Sequence, residues 1–458
     1  MNDNITIKQP RNIDPDFEKE IFDNKSQLND TSPVLIPFRD WQESKNAQKV
    51  FRIKTNLLRF RKENGRISSN IMTHEKTIGP LDEKSKNSQA VIAEFLKGLD
   101  PGPNKTLGNQ IMKNGQLEPG VITADGFVIN GNRRKMVLGE LYEKTKNAEF
   151  EFMNVVILPG NLDGGGGGGL PTQEEINELE ARYQKQKTGK AEYTNFNLAL
   201  SYRNNELSGY TLEKQMRDDP DHSDKSEKEF KKAKRELEEK FLKPLECVDQ
   251  FLEINGTPGV YNIIDSKWDA FEQYYLQIGK PLDTPSGLNR LNITEDIVPD
   301  IKEAVFKIIK ADPVKGSNTR EQIRKLPKLI KNSASRKKLL EINDNVDFDI
   351  EESEKSNEDG VTYELKVQNQ IWVAKHQKNI SDHVNSAKRL ADFQETSKKP
   401  LESLQVIRDN IKTWEDDNAK NINTLDLPKI KKITSEIYAA AKSIESELQK
   451  KMNENQPG

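Results

Sequence analysis

The apolar positions of this chain follow two rhythms. Between residues 47 and 160, segments that alternate with a period of two are interleaved with segments at helical spacing; beyond residue 174 the helical period takes over. Val50-Phe-Arg-Ile-Lys-Thr-Asn-Leu-Leu58 alternates as a strand does. Gln89 to Leu96 has helical spacing, with Gly98 and Pro101 as its stop, and Leu107 to Gly115 predicts a second short helix. Val121 to Thr123 and Phe127 to Ile129 predict strands joined at Asp125-Gly126, because glycine takes positive φ freely and Asp tolerates it. Asn130-Gly131 turns the chain again, and the recurrence of Met136, Val137 and Leu141 predicts a helix from Asn132. Phe150 to Leu158 is a buried-strand pattern stopped by Pro159-Gly160. The order β, α, α, β, β, α, β predicts a small mixed domain over 47–160. The chain as a whole reads as α+β, its central and C-terminal regions mostly α-helical.

The flanking segments are simpler. Residues 1–46 are polar with scattered prolines and read as a mobile N-terminal arm. Residues 161–173 hold six consecutive glycines without the Gly-Lys-Ser/Thr of a phosphate loop, and read as a flexible linker. Residues 174–255 predict helices, the first with Thr172 and Glu175 as a capping box. A helix stopping at Gly209, a short helix capped by Thr211 and a charged helix from Ser226 give the outline of a helix-turn-helix. Residues 256–345 carry an aromatic stripe (Trp268, Phe271, Tyr274, Tyr275) that reads as core, then helices with a break expected near Pro327. Residues 346–364 read as an acidic linker. Residues 365–458 repeat Val384, Leu390, Phe393, Leu404, Ile407, Ile411, Ile430, Ile433, Ile437 and Ile444 at helical spacing, a tail suited to a homodimer or to a protein partner.

Composition narrows the class. The chain has 458 residues, a length that suggests about three domains. With 33% hydrophobic and 32% charged residues, several small cores and long solvated helices are expected rather than one large core. A formal net charge of −3 confines any basic surface to a local patch. The single cysteine, Cys247, excludes an internal disulfide, and the four scattered histidines suggest no metal site. There is no apolar run long enough to span a membrane and no signal-peptide pattern at Met1-Asn-Asp-Asn, so a cytoplasmic location is expected.

The chemistry concentrates at residues 121–138. The first N–H groups of a helix lack intrahelical partners and sit at the positive end of its dipole. Gly131 permits close approach, and Arg133 and Arg134 add donors that match phosphate oxygens. The bland reading is a turn with two solvated arginines. Arg59, Arg61, Lys62 and Arg66 form a further basic cluster, either facing a phosphate or ending a solvated strand. Glu178 and Arg182 have the spacing of a surface i,i+4 pair. The basic concentration at Lys325, Lys328, Lys331, Arg336, Lys337 and Lys338 is either a solvated face or a contact for nucleic acid or an acidic partner.

Asp125-Gly-Phe-Val-Ile-Asn-Gly-Asn-Arg-Arg134 resembles the G-E-R-R box of the ParB N-terminal domain, in the ParB/sulfiredoxin superfamily. Gly131 and Arg134 match the Gly-x-x-Arg positions, and Arg133 the preceding arginine. Asn64-Gly65-Arg66 is similar to the N-P-R element, Ile111 to Pro119 to the approach to the central hairpin, and Glu178 with Arg182 to the E-N-x-x-R motif, with Leu179 in place of Asn. Asn132 stands where sulfiredoxins carry their cysteine, so peroxiredoxin repair is not expected. Lys135-Met136-Val137 departs from the arginine and alanine usual in ParB. The resemblance implies a nucleotide site, CTP or ATP with Mg2+, formed by Gly131, Asn132, Arg133, Arg134, Glu178 and Arg182. It also implies DNA contact by the helix after Ser226, through Lys228, Lys231, Lys232, Lys234 and Arg235, although Asp218, Asp219, Asp221 and Asp224 in the preceding loop oppose it. Superfamily members include nucleases, ATPases and kinases; catalysis would draw on Arg134 with Glu178, Glu180 or Asp125 as the carboxylate. A third reading is an interaction protein with a relict nucleotide site.

Overall fold

In the computed structural model the described residues are 10–28, 32–99, 101–162, 169–185, 194–312, 318–356, 362–418 and 423–454. The chain divides into two units, Met1–Ala387 and Lys388–Gly458. The fold is α+β: helices dominate around one small mixed sheet.

The first unit opens with α1 (Pro15–Asn24) and β1 (Ser26–Gln27), followed by β2 (Phe51–Lys54), β3 (Arg59–Phe60), α2 (Ser68–Thr77), α3 (Lys86–Leu99) and α4 (Pro101–Asn114). Then come β4 (Gly120–Ile122), β5 (Phe127–Asn130), α5 (Asn132–Thr145), β6 (Phe152–Ile157) and α6 (Gln173–Lys185). The six strands are ordered β1-β2-β6-β4-β5-β3. β4 and β5 form an antiparallel hairpin, while β6 runs parallel to β4 and β3 parallel to β5.

Both faces of this sheet are covered, which is why its strands look almost continuously apolar. Ile122, Val128 and Val155 point into a core with Ile92 and Leu96 of α3 and Met136, Val137 and Leu141 of α5. Their chain neighbours Val121, Ile129 and Val156 point the other way, against Ile36, Phe38 and Trp41 and against Ile176 and Leu179 of α6.

Several expectations change here. The described part of the N-terminal arm is built into the domain: Ile21, Ile36, Phe38 and Trp41 are buried, and Arg11 pairs with the buried Asp125 at 2.7 Å. Val50–Leu58 is not one strand, because a 3-10 turn at Thr55–Leu57 separates β2 from β3. Pro101 starts α4 rather than ending α3, since proline lacks only an N–H that the first turn does not use. α2 was not foreseen; Asn64 caps the 3-10 turn Gly65–Ile67 that leads into it. The glycine run lies outside the described residues except for Gly169.

Beyond Thr194 the first unit is helical. α7 (Asn195–Leu207), α8 (Leu212–Arg217), α9 (Pro220–Ser223) and α10 (Glu227–Leu237) follow the expected outline, with Thr211 capping α8 and a capping box at Ser226 and Glu229. α11 (Lys243–Ile254), α12 (Trp268–Tyr274), α13 (Lys280–Leu282), α14 (Pro285–Leu291) and α15 (Val298–Ala311) surround an aromatic core of Phe251, Phe271, Tyr274 and Phe306. α16 (Thr319–Lys331) and α17 (Ser333–Asn345) are separated at Asn332, whose side chain accepts from Ser335 N, and not at Pro327, which lies inside α16. Residues 346–356 are not a free linker: Trp372 Nε1 donates to Asp347 O at 2.7 Å, and Val346 and Ile350 are buried. Lys267 Nζ donates to the carbonyls of Ile309 and Lys310 at 2.9 and 2.7 Å, so a buried ammonium closes the C-terminal end of α15. α18 (Leu365–Asn418) packs through Trp372, Ile380, Val384 and Ala387 in this unit. In the second unit Phe393, Leu404, Ile407 and Ile411 of α18 and Ile433, Ile437 and Ile444 of α19 (Leu427–Glu454) are exposed. Among the described residues no helix is long and apolar enough to cross a membrane.

Candidate functional site

The start of α5 is the centre of the site, and its geometry follows from two glycines. Gly131 has φ +108°, where a side chain is strained, and a Cβ there would meet Met153 Cε at 2.7 Å and Gly120 Cα at 3.3 Å. Gly120 is just as confined, since its Cβ would lie 2.9 Å from Asn130 O. β4, β5 and the helix start are thus pressed together with no room for side chains. Gly131 provides no side-chain cap, so the first N–H groups of α5 remain uncapped.

A cavity of about 770 Å³ opens at this point. One wall is Asn130, Gly131, Asn132, Arg133 and Arg134; facing it are Asn64 and Arg66, and α4 closes it with Thr106, Leu107, Gln110 and Ile111. The structure therefore brings the Asn64-Gly65-Arg66 turn and the Gly-Asn-Arg-Arg box, 65 residues apart, to one hollow. The rim is completed by Gln116, Leu117 and Glu118.

The two arginines differ in what holds them. Arg134 Nη1 donates to the carbonyls of Glu118 and of Pro119, the latter at 2.9 Å, and Nη2 lies 3.7 Å from the Glu118 carboxylate. Burial pushes its guanidinium below the ordinary arginine range, and Glu118 opposes that shift. Arg133 Nε donates to Asn104 Oδ1 at 2.8 Å, which ties α5 to α4. Asn132 Oδ1 is buried without a hydrogen-bond donor. A buried acceptor without a partner is unfavourable, so this atom is a point of cost at the start of α5.

The Asn64–Arg66 turn is held from behind by two helices. Glu180 of α6 accepts from Gly65 N at 3.3 Å and pairs with Arg61 at 3.2 Å; Glu180 is 7% exposed and Arg61 2%. Burial pushes the Glu180 carboxyl upward, against the pull of Arg61 and of the Gly65 N–H. From α7, Asn197 Nδ2 donates to Arg66 O at 3.0 Å while its Oδ1 accepts from Ser69 N at 3.2 Å.

The other expected residues lie elsewhere. Glu178 and Arg182 do not line the cavity. Glu178 pairs with Lys214, which also binds Glu174 at 2.7 Å, and Arg182 lies 3.7 Å from both Glu178 and Asp218 and donates to Pro37 O at 3.1 Å. Asp125 is buried under Arg11 and Thr123, away from the hollow. Lys228, Lys231, Lys232 and Arg235 form the exposed face of α10, opposite the buried Phe230, Ala233 and Leu237. Sequence reasoning missed the contributions of Glu180 to the turn and of Asn197. It also missed Thr106 and Gln110, whose i,i+4 spacing on α4 was the available signal. Among the described residues no three His, Cys, Asp or Glu side chains gather as a metal site.

No family model matches the chain, and neither a curated protein nor a solved structure matches it.

Proposed function

We propose that this chain is a ParB-like protein that holds the phosphates of a nucleotide, CTP or ATP, at the start of α5 and acts on DNA. The observation that carries this reading is the cavity at an uncapped helix start flanked by Arg133 and Arg134. Its volume of about 770 Å³ suits a mononucleotide, within the roughly 300–1,000 Å³ usual for small-molecule sites. Backbone N–H groups and the helix dipole favour the phosphates. Asn64 and Arg66 close the opposite side. Mg2+ would ride on the phosphate oxygens, because among the described residues that line the cavity the one carboxylate, Glu118, lies 3.7 Å from Arg134. The exposed cations of α10 are the surface offered to DNA phosphates.

The test is calorimetric titration with CTP and with ATP, each with Mg2+, of the wild type, Arg133→Ala and Arg134→Ala. Saturable binding of one nucleotide, weakened at least about tenfold by Arg133→Ala, supports the reading. A folded wild type that binds neither nucleotide overturns it.

A further inference from the structure

We infer that α16 is a second contact surface for a nucleic-acid backbone, separate from the face of α10. The inference rests on the DNA part of the proposed function and adds a surface to it.

α16 is amphipathic in an unusual way. Its inward stripe, Ile323, Leu326, Leu329 and Ile330, is fully occupied in the core. The rest of the helix carries five cations, Arg320, Arg324, Lys325, Lys328 and Lys331, against one anion, Glu321, in its first turn. Arg324, Lys325, Lys328 and Lys331 are exposed. Lys325 and Lys331 make no ion pair among the described residues. Arg324 is held in place by a 2.6 Å hydrogen bond from Nε to Gln273 Oε1, which leaves the other guanidinium nitrogens available.

α10 offers its cations in a different setting. They are interleaved with acids, and three of them pair along the helix: Lys232 with Glu236 at 3.8 Å, Lys234 with Glu238 at 3.9 Å and Arg235 with Glu239 at 3.1 Å. α16 has no such i,i+4 acids beyond its first turn. Beyond that turn the charged side chains of the helix itself are all cations, and a row of one sign concentrates field on a polyanion.

The chemistry selects nucleic acid over an acidic protein. A protein interface needs apolar or aromatic anchors at its centre. The leucines and isoleucines of α16 are all buried, so its outer face has cations and no anchor. From Lys325 to Lys331 the row is about 9 Å long at 1.5 Å per residue, the scale of neighbouring phosphates along a groove. A face of this kind positions the backbone and reads no bases.

The experiment is fluorescence anisotropy of a labelled duplex DNA of random sequence against the full chain over a series of salt concentrations. It compares wild type, the triple variant K325A/K328A/K331A and the α10 variant K228A/K231A/K232A, with thermal melts to confirm that each is folded. If all three α16 lysines contact phosphates, the slope of log K on log salt becomes shallower by about 2.7, at about 0.9 per contact. Affinity then falls equally for every sequence tried. An α16 variant with the wild-type slope and affinity overturns the inference, whether or not the α10 variant is weakened. A wild type that binds no DNA at low salt overturns the DNA reading and this surface with it. Binding of poly-glutamate, but not of DNA, that depends on the three lysines overturns it in favour of an acidic protein partner.

Discussion

Glu178 and Glu180 lie two residues apart on α6, yet they belong to different parts of the molecule. Glu180 points inward, pairs with Arg61 and supports the turn at the edge of the cavity. Glu178 points toward α8 and joins an ion-pair network with Lys214 and Arg182. The helical period explains the split. Ile176, Leu179, Glu180 and Tyr183 form the stripe that packs on the sheet, whereas Glu174, Glu178 and Arg182 form the stripe that meets α8. Inward, a charge must be paired and hydrogen-bonded to be tolerated; toward α8, Glu178 is shared by Lys214 and Arg182, and water reaches the half-exposed Lys214 and screens the pair.

That contrast can be broken most strongly at the buried pair. Glu180→Ala leaves the buried Arg61 with only the longer contact to Glu63 at 3.8 Å and should lower stability by about 3 kcal/mol, read from the denaturant midpoint. A loss no larger than that of Glu178→Ala would erase the distinction between the two faces. Gly131→Ala comes next, because it adds a Cβ at positive φ against Met153; a loss of about 1–3 kcal/mol is expected, together with weakened nucleotide binding in the same titration. Asn197→Ala removes the clamp on Arg66 O and Ser69 N and should cost about 1–2 kcal/mol, with faster hydrogen exchange at the amides of residues 65–69. Glu178→Ala should change stability by no more than about 1 kcal/mol, and 1 M salt should reduce the effect further.

Lysines extend the contrast to pH. Burial pushes Lys310 down to about 7 and, with help from Arg59, Lys135 to about 7. For Lys214 burial works against the charge, but hydrogen bonds from its ammonium to Glu174 and Glu178 outweigh it and hold the group above its ordinary value. Between pH 7 and the ordinary lysine range, the unfolded chain holds protons at positions 310 and 135 that the folded chain has lost. Stability therefore rises with pH across that window and falls as pH drops toward 7. Lys310→Met should flatten the rise of melting temperature between pH 7.5 and 10. An unchanged pH profile would show that Lys310 stays charged inside the fold.

Much of this was legible where the signal is local. The β4–β5 hairpin, the turn at Gly131 and the start of α5 follow from a dozen consecutive residues whose turn chemistry and periodicity agree. The inward glutamate was legible in principle, as a charge inside the stripe Ile176, Leu179, Tyr183. The E-x-x-x-R spacing drew attention to the outward stripe instead. The N-terminal arm was not legible, because its anchor joins Arg11 to Asp125 across 114 residues and leaves no periodic trace. Likewise, Pro327 suggested a break that the core overrode: Ile323, Leu326, Leu329 and Ile330 pack on both sides of it, and the helix ends where Asn332 caps its successor.

The strand order has a consequence for how the chain emerges during synthesis. β6 lies between β2 and β4, so the centre of the sheet closes with the last strand made. About a hundred residues separate β2 from β6, and at about 5–20 residues per second a ribosome takes roughly 5–20 s to supply them. For that interval β2 is without its central neighbour, and β3 waits for β5. Conditions that slow translation prolong the exposure of these edges, and the yield of folded protein should depend on synthesis rate more than on final stability.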